Sequence, residues 1–174
     1  CALPISLELA ENEGLTYVAP FDDPMVIAGQ GTIGLELIQD AADVNRIFVP
    51  VGGGGLAAGI AVLVKQLMPQ VKIIGVEPAE SACLAAAMEA GEPVTLDRVS
   101  LFAEGVVVAR IGDETFRILK DHLDDVVTVD SDEISAAVKD LFDDVRAVAE
   151  PAGAVALAGL KKYVRAHDIH GEQL

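Results

Sequence analysis

The sequence predicts an α/β fold in which helices cover a parallel sheet. Two short apolar runs rich in β-branched residues, Ile47–Val51 and Val71–Val76, are typical of strands that are buried on both faces. Between them lie four consecutive glycines, Gly52–Gly55, and an apolar stretch of helical length, Leu56–Met68. A strand, a glycine loop, a helix and a second strand within about 30 residues are typical of the βαβ unit of a parallel sheet.

The chain before this unit is expected to hold two helices with a short strand between them. Gly14 follows an alternation of apolar and polar residues, as glycine commonly does just past the end of a helix. Pro20 closes a short apolar run, which suggests a strand. In chain order, we expect a helix end at Ser6–Glu13, a strand at Leu15–Ala19, a turn at Asp22–Pro24 and a helix within Val26–Asp40 that begins beyond Gly29–Gly31.

After the second strand, the chain continues to alternate helices with short strands. Gly91 marks the end of one helix, and the acidic residues at 130–132 are typical of the start of another. The predicted helices are Ser81–Ala90, Asp113–Leu123, a segment from Asp130 to about Arg146, and Ala152–Ala166; the predicted strands are Val106–Val108 and Val126–Val129. No repeat or linker interrupts this order, so we expect one domain or most of one.

Composition limits the possible partners. The 174 residues are 52% hydrophobic and 23% charged, which is typical of a folded domain with its own core. The net charge of −16 argues against nucleic acids and anionic membranes, because both attract a basic face. Cys1 and Cys83 are too few for a disulfide framework, and His122, His167 and His170 lie in polar surroundings typical of solvated side chains. No apolar run reaches the roughly 18 residues of a membrane span, and no basic leader opens the chain, so we expect a cytoplasmic protein.

The glycine loop predicts a phosphate site. A helix N-terminus has unpaired N–H groups and a partial positive charge, and glycines let several of these N–H groups approach one anion. No Lys-Ser or Lys-Thr follows, which excludes a nucleoside-triphosphate P-loop. Two hypotheses stay open: a dinucleotide fingerprint made by Gly52, Gly54 and Ala57 with Glu77 as the ribose-binding acid, or a cofactor with one terminal phosphate, such as pyridoxal phosphate.

Ordered motifs along the chain carry a family resemblance. They are Phe-Asp-Asp-Pro-Met-Val-Ile-Ala-Gly-Gln-Gly-Thr at 21–32, the glycine loop, Leu-Phe-Ala-Glu-Gly at 101–105, Arg-Ile-Gly-Asp-Glu-Thr-Phe at 110–116, Thr-Val-Asp-Ser at 128–131 and Val-Ala-Glu-Pro at 148–151. From about Leu9 to the last residue, the chain closely resembles the biosynthetic threonine ammonia-lyases (threonine dehydratases). These belong to the tryptophan-synthase-β-like, or fold type II, pyridoxal phosphate enzymes.

The resemblance implies a cofactor, a reaction and several site residues. It implies that Gly52, Gly53, Gly54, Gly55 and Leu56 bind the phosphate of pyridoxal phosphate, and that Glu77 is only an acid at a strand end. Glu150 resembles a glutamate near the cofactor ring. Glu104 lies in a segment that resembles a cation site of serine racemases, although a solvated glutamate is the expectation there. The implied reaction converts L-threonine to 2-oxobutanoate and ammonia, the first step of isoleucine biosynthesis, with serine giving pyruvate as a side activity.

The family's Schiff-base lysine motif, Ser-Phe-Lys-x-Arg-Gly, is absent, so no catalytic residue is expected in this chain. The resemblance therefore implies a fragment that is incomplete at both ends. Residues 1–20 would be the end of the small domain and a crossover, with Cys1–Ser6 departing from the family pattern, and residues 21–174 part of the large cofactor domain. The whole enzyme is expected to act on a small amino acid and to form a homo-oligomer. A stand-alone NAD-binding module and a non-catalytic paralogue without the lysine are the alternatives.

Overall fold

The computed structural model describes residues 3–174, in which three strands form one parallel sheet. The strands are β1 (Arg46–Pro50), β2 (Lys72–Pro78) and β3 (Asp125–Val129), hydrogen-bonded in that order. Ile47 of β1 pairs with Ile73 of β2, and Ile74 pairs with Asp125 of β3. The parallel βαβ unit predicted from the apolar runs is confirmed.

The described residues also form seven α-helices. They are α1 (Leu3–Glu13), α2 (Pro24–Asp40), α3 (Gly55–Leu67), α4 (Cys83–Ala90), α5 (Asp113–His122), α6 (Ser131–Val145) and α7 (Pro151–His167). Two short 3-10 turns lie at Ala79–Ser81 and Glu104–Val106. The predicted helix over Ser81–Ala90 therefore begins two residues late, after the first of these turns.

Both faces of the sheet are covered, which explains the continuous apolar runs at the centres of β1 and β2. Val49 and Ile73 face one core together with α3 and α5, and both side chains are buried. Val76 and Val129 face a second core with α6 and α7. Burial on both faces removes the alternation of polar and apolar residues that a half-exposed strand would show.

Helix α2 begins earlier than the sequence suggested, and glycines lie inside it. The carboxylate of Asp23 accepts hydrogen bonds from the N–H groups of Met25 and Val26, at 2.8 and 3.1 Å, so it caps the first turn. Gly31 packs against α3, where a Cβ would lie 3.3 Å from the carbonyl oxygen of Gly59. The prediction that the helix starts beyond Gly29–Gly31 is wrong, because Asp23 caps an earlier start and Gly31 serves helix–helix contact inside the helix.

Two predicted strands are not found. The Leu15–Ala19 segment is irregular, and its apolar side chains at Leu15 and Val18 are 58% and 67% exposed. The Val106–Val108 segment begins at the last residue of the second 3-10 turn and pairs with no strand of the sheet. Each segment has the apolar residues of a strand, but a strand also needs a neighbour for its backbone hydrogen bonds.

The predictions about cysteine, histidine and membrane segments have separate outcomes. Cys83 is buried and not part of a disulfide, whereas Cys1 lies outside the described residues. His170 is exposed, His122 is half-buried against the Ile118 carbonyl oxygen, and the exposed His167 stacks on a tyrosine ring. Over residues 3–174, no helix has the length and apolar character needed to cross a membrane.

Candidate functional site

The glycine loop lies at the carboxyl end of the parallel sheet. It begins two residues after the end of β1 at Pro50, and Gly54 is the residue before the first turn of α3. In open α/β sheets, ligands bind at this edge, between the strand ends and the helix N-termini. The loop is therefore in the position where the predicted phosphate site belongs.

The carbonyl groups of the loop are bound by the protein itself. The Gly53 oxygen accepts a hydrogen bond from Thr115 Oγ1 at 2.7 Å and a longer one from the Gly112 N–H at 3.4 Å. The Gly52 oxygen accepts one from Cys83 Sγ at 3.5 Å. Two neighbouring peptide groups thus turn their oxygens toward the first turns of α4 and α5.

The N–H groups of the same segment are unpaired. Within the described part of the chain, the backbone N–H groups from Gly53 to Ala57 donate no hydrogen bond, and the first helical bond runs from Ala58 N to Gly54 O at 2.8 Å. Unpaired donors at the positive end of a 13-residue helix can bind an anion. A phosphate group fits this arrangement because its oxygens accept several hydrogen bonds at once.

The glycines are required by packing inside the chain. Gly54 has a φ of +91°, in the left-handed region. A Cβ on Gly53 would lie 2.2 Å from Cγ of the Phe21 ring, and a Cβ on Gly52 would lie 2.8 Å from the Val106 carbonyl oxygen. The sequence analysis attributed the four glycines to a ligand close to the backbone. In the structure, the groups close to Gly52 and Gly53 are Val106 and Phe21 of the same chain.

A carboxylate holds the helix that carries Thr115. Asp22 accepts hydrogen bonds from the N–H groups of Asp113, Glu114 and Thr115, at 3.0, 2.9 and 3.2 Å. These three N–H groups lie in the first turn of α5, where a helix offers them no acceptor of its own. Asp22 lies 91 residues before Asp113 in the sequence. Asp22 and Phe21 are neighbours, so one segment contacts both the loop and the helix beside it.

Glu77 is buried and structural. It has no exposed surface, and its carboxylate accepts hydrogen bonds from the N–H groups of Leu84 and Ala85, both at 2.8 Å, at the start of α4. Burial raises the pKa of Glu77 to about 7. Burial also raises the pKa of the neighbouring Cys83 thiol to about 12, so that thiol stays protonated and can donate to the loop. Because both oxygens of Glu77 serve α4, the carboxylate is not available to a ribose.

Glu104 and Glu150 lie on the exposed surface near the loop. The 3-10 turn at Glu104–Val106 lies between these two glutamates and the loop. Its Val106 contacts Gly52, and a Cβ on its Gly105 would lie 3.0 Å from a side-chain oxygen of Glu150. Glu150 precedes α7 without capping it. Among residues 3–174, no three His, Cys, Asp or Glu side chains are grouped so that they could hold a metal ion.

The six lysines of the chain do not contact the glycine loop. Lys65, at the opposite end of α3, donates to the Val71 carbonyl oxygen at 2.9 Å and to Asp124 at 2.6 Å. Three others form ion pairs on the outer helices: Lys139 with Asp143, Lys161 with Asp140, and Lys162 with Glu133. Lys72 and Lys120 are exposed. None of them is placed to act at the loop.

Sequence reasoning missed Thr115, Asp22 and Cys83 as residues that support the loop. The motifs at 21–32 and 110–116 contain the first two, but as strings of letters they give no partner for either side chain. Thr115 and Gly53 are 62 residues apart. A contact at that separation depends on the fold and has no periodic signal in the sequence.

Comparisons with known proteins agree on one family. Residues 2–174 match the family model described as pyridoxal-phosphate dependent enzyme. The biosynthetic L-threonine dehydratase of Salmonella typhimurium is 68% identical over 169 residues, which is 97% of this chain and 33% of that protein. The processed form of threonine deaminase isoform 2 from Solanum lycopersicum superposes with a TM-score of 0.94 at 47% identity, over 96% of this chain and 49% of that structure.

A second solved structure shows how far the fold extends. Maize serine racemase superposes with a TM-score of 0.90 at 31% identity, over 98% of this chain and 54% of that one. The chain spans about a third of the length of the threonine dehydratases that it matches. The similarity to both a threonine deaminase and a serine racemase shows that proteins with different named reactions share this fold.

Proposed function

Since the chain belongs to the family of pyridoxal-phosphate dependent enzymes, we propose that it is part of an enzyme that converts L-threonine to 2-oxobutanoate and ammonia. The observation that carries the proposal is the row of unpaired N–H groups at the start of α3, which suits the cofactor's phosphate. The choice of threonine rests on the 68% identity to a protein named threonine dehydratase. Serine is proposed as a second substrate, giving pyruvate.

The phosphate is proposed to bind at Gly52, Gly53, Gly54, Gly55 and Leu56. The fit is supported by the direction of the peptide groups, because their oxygens are bound inside the protein and their N–H groups are free. The helix dipole of α3 adds a favourable interaction with a doubly negative group. The loop would thereby hold the cofactor in one position and orientation.

The cofactor, when bound, supplies a place to store the electron pair that remains after an amino acid loses its α-proton. The protein has to supply the base that removes this proton. None of the six lysines contacts the loop, and three of them form ion pairs with carboxylates on the outer helices α6 and α7. We therefore place the base outside this chain, in a longer protein of which the chain is about a third.

Further residues and properties belong to the same proposal. Glu150 would lie toward the cofactor ring, because it reaches the turn that contacts the loop. Glu104 would serve a cation only with ligands from elsewhere, since no metal-ligand group is found over residues 3–174. Residues 1–20 would end the small domain, and residues 21–174 would form part of the large one. A role in isoleucine biosynthesis, a cytoplasmic location and homo-oligomeric assembly complete the proposal.

The test is an assay of the full-length gene product with saturating pyridoxal phosphate. We expect saturable release of 2-oxobutanoate from L-threonine and a slower release of pyruvate from L-serine. Gly53→Asp should lose the cofactor on dialysis, because the new carboxylate crowds Phe21 and repels the phosphate. Gly29→Asp is the matched control, since a Cβ at Gly29 meets no atom within 4 Å.

Three outcomes would each contradict part of the proposal. A wild-type protein that binds NADH but not pyridoxal phosphate would be a dinucleotide-binding module. A protein that binds pyridoxal phosphate, yet releases no 2-oxobutanoate or pyruvate above the rate of the cofactor alone, would be a non-catalytic relative. Unchanged cofactor absorbance in dialysed Gly53→Asp would reject the glycine loop as the phosphate site.

A further inference from the structure

Two buried side chains hold the oxygens of neighbouring peptide groups in the glycine loop. Thr115 and Cys83 have no exposed surface, and they donate to the Gly53 and Gly52 oxygens respectively. The Thr115 hydroxyl is the stronger donor, at 2.7 Å, compared with 3.5 Å for the thiol. It also lies 3.2 Å from the Gly112 carbonyl oxygen, so the hydroxyl sits between two acceptors.

The direction of a carbonyl fixes the direction of the next N–H group. A trans peptide is planar, and its N–H points opposite to its C=O; the described residues contain no cis peptide bond. When Thr115 holds the Gly53 oxygen toward α5, the N–H of Gly54 is turned away from α5. Gly54 is the residue before α3, so its N–H adds to the free donors at that helix end.

We propose that Thr115 is a positioning residue for phosphate binding, which acts by holding the Gly53 peptide group in the orientation that exposes the Gly54 N–H. This inference rests on the proposed function. Asp22 supports it, because its carboxylate binds the N–H groups of Asp113, Glu114 and Thr115 and so fixes the first turn of α5. Glycine is the most flexible residue, so an unrestrained Gly53–Gly54 peptide would rotate among several orientations.

The experiment compares Thr115→Ser with Thr115→Ala in the full-length gene product. The two variants differ by one hydroxyl, and both lack the threonine methyl group. We expect the serine variant to bind pyridoxal phosphate about as tightly as the wild type. The alanine variant should bind it about five- to tenfold more weakly, which is the effect of one lost hydrogen bond. Equilibrium dialysis of the cofactor gives the dissociation constants.

The matched control is the same pair of substitutions at Thr32. Its hydroxyl also donates to a backbone carbonyl oxygen, that of Gly29 at 2.9 Å, but on the surface of α2. We expect Thr32→Ser and Thr32→Ala to leave the cofactor affinity unchanged. This pair separates a specific effect on the loop from the general loss of a hydroxyl–carbonyl hydrogen bond.

A second readout separates positioning from a purely structural role. The cofactor-free proteins are titrated with inorganic phosphate, and phosphate binding is measured from the phosphorus-31 NMR signal. The free energy of unfolding of each protein is measured in urea in parallel. A positioning role predicts weaker phosphate binding in Thr115→Ala even where the protein remains fully folded. Should that variant fail to fold, Thr115→Val, which keeps the side-chain volume, takes its place.

The outcomes distinguish this inference from the function on which it rests. A wild type that retains the cofactor, with alanine and serine variants of equal affinity for both probes, would overturn the role of Thr115 alone. Equal weakening by Thr115→Ser and Thr115→Ala would also overturn it, because the hydroxyl would then be irrelevant. A wild type that binds neither pyridoxal phosphate nor inorganic phosphate would overturn both the role of Thr115 and the proposed function.

Discussion

Gly53→Ala is the sharpest perturbation of the loop, because a single methyl group would occupy the space of an aromatic ring. A Cβ on Gly53 would lie closer than 3.0 Å to three atoms of the Phe21 ring, a separation that real Cβ contacts do not show. The backbone of Phe21 packs against Gly55, where a Cβ would be 3.1 Å from its Cα. The ring therefore has to turn away from the loop.

The expected cost follows from the way buried contacts respond to an added methyl group. Overpacking costs about 1–3 kcal/mol when a side chain or the backbone has to move. Phe21 is half-buried, so its ring can turn toward solvent, and we expect a loss of about 2 kcal/mol in the free energy of unfolding. The full-length gene product is unfolded in urea and followed by far-ultraviolet circular dichroism.

A double-mutant cycle with Phe21→Ala isolates the contact. Without the ring, the added methyl at position 53 has room, so Gly53→Ala should cost less than about 0.5 kcal/mol in that background. Gly29→Ala is the control, since its Cβ meets no atom within 4 Å and alanine in a helix is expected to stabilise by about 0.5–1 kcal/mol. If Gly53→Ala cost the same with and without the ring, the steric explanation for this glycine would be refuted.

Three further predictions concern pH and the 174-residue chain by itself. Burial raises the pKa of Glu77 from 4.5 to about 7, so the folded protein holds this proton more tightly than the unfolded one. The tighter proton binding contributes about 3 kcal/mol to the free energy of unfolding; this contribution is complete below about pH 4.5 and is lost as the pH rises through 7. Urea unfolding between pH 5 and 8 should show this loss in the wild type and not in Glu77→Gln. The isolated chain should release no 2-oxobutanoate from threonine above the rate of the free cofactor, because no lysine is at the loop; a saturable rate lost on Gly53→Asp would contradict this. The isolated chain should also self-associate, because Met25, Leu101 and Val148 are 80%, 75% and 89% exposed; a monodisperse monomer in light scattering would be the opposite result.

The βαβ unit could be predicted from the sequence because its signals are local. The centre of strand β2, at residues 73–76, is an uninterrupted apolar run, and the helix that begins at Gly55 has the length and composition of a buried helix. The failed strand at Leu15–Ala19 has similar composition but no partner strand. Local patterns report which residues prefer to be buried, whereas strand pairing is decided by the rest of the fold.

The support of the loop could not be predicted for a related reason. Asp22 caps a helix 91 residues further along the chain, and Thr115 reaches a carbonyl 62 residues earlier. An aspartate directly before a proline is typical of a turn or a helix start, and Asp23 does cap the first turn of α2. The same local reading gives no role to Asp22, since its partners come together only when α5 packs beside α3.

The glycines themselves are weaker evidence for a ligand than the sequence suggested. Packing against Phe21 and Val106 requires small residues at Gly53 and Gly52, and the left-handed backbone requires one at Gly54. A loop with no ligand would need the same three glycines. What such a loop does not need is a row of N–H groups without acceptors, because unpaired donors at a helix end are costly unless water or a ligand binds them. The case for a phosphate therefore rests on the donors, and substitutions that rotate the peptides at unchanged glycine content, such as Thr115→Ala, test it more directly than substitutions of the glycines.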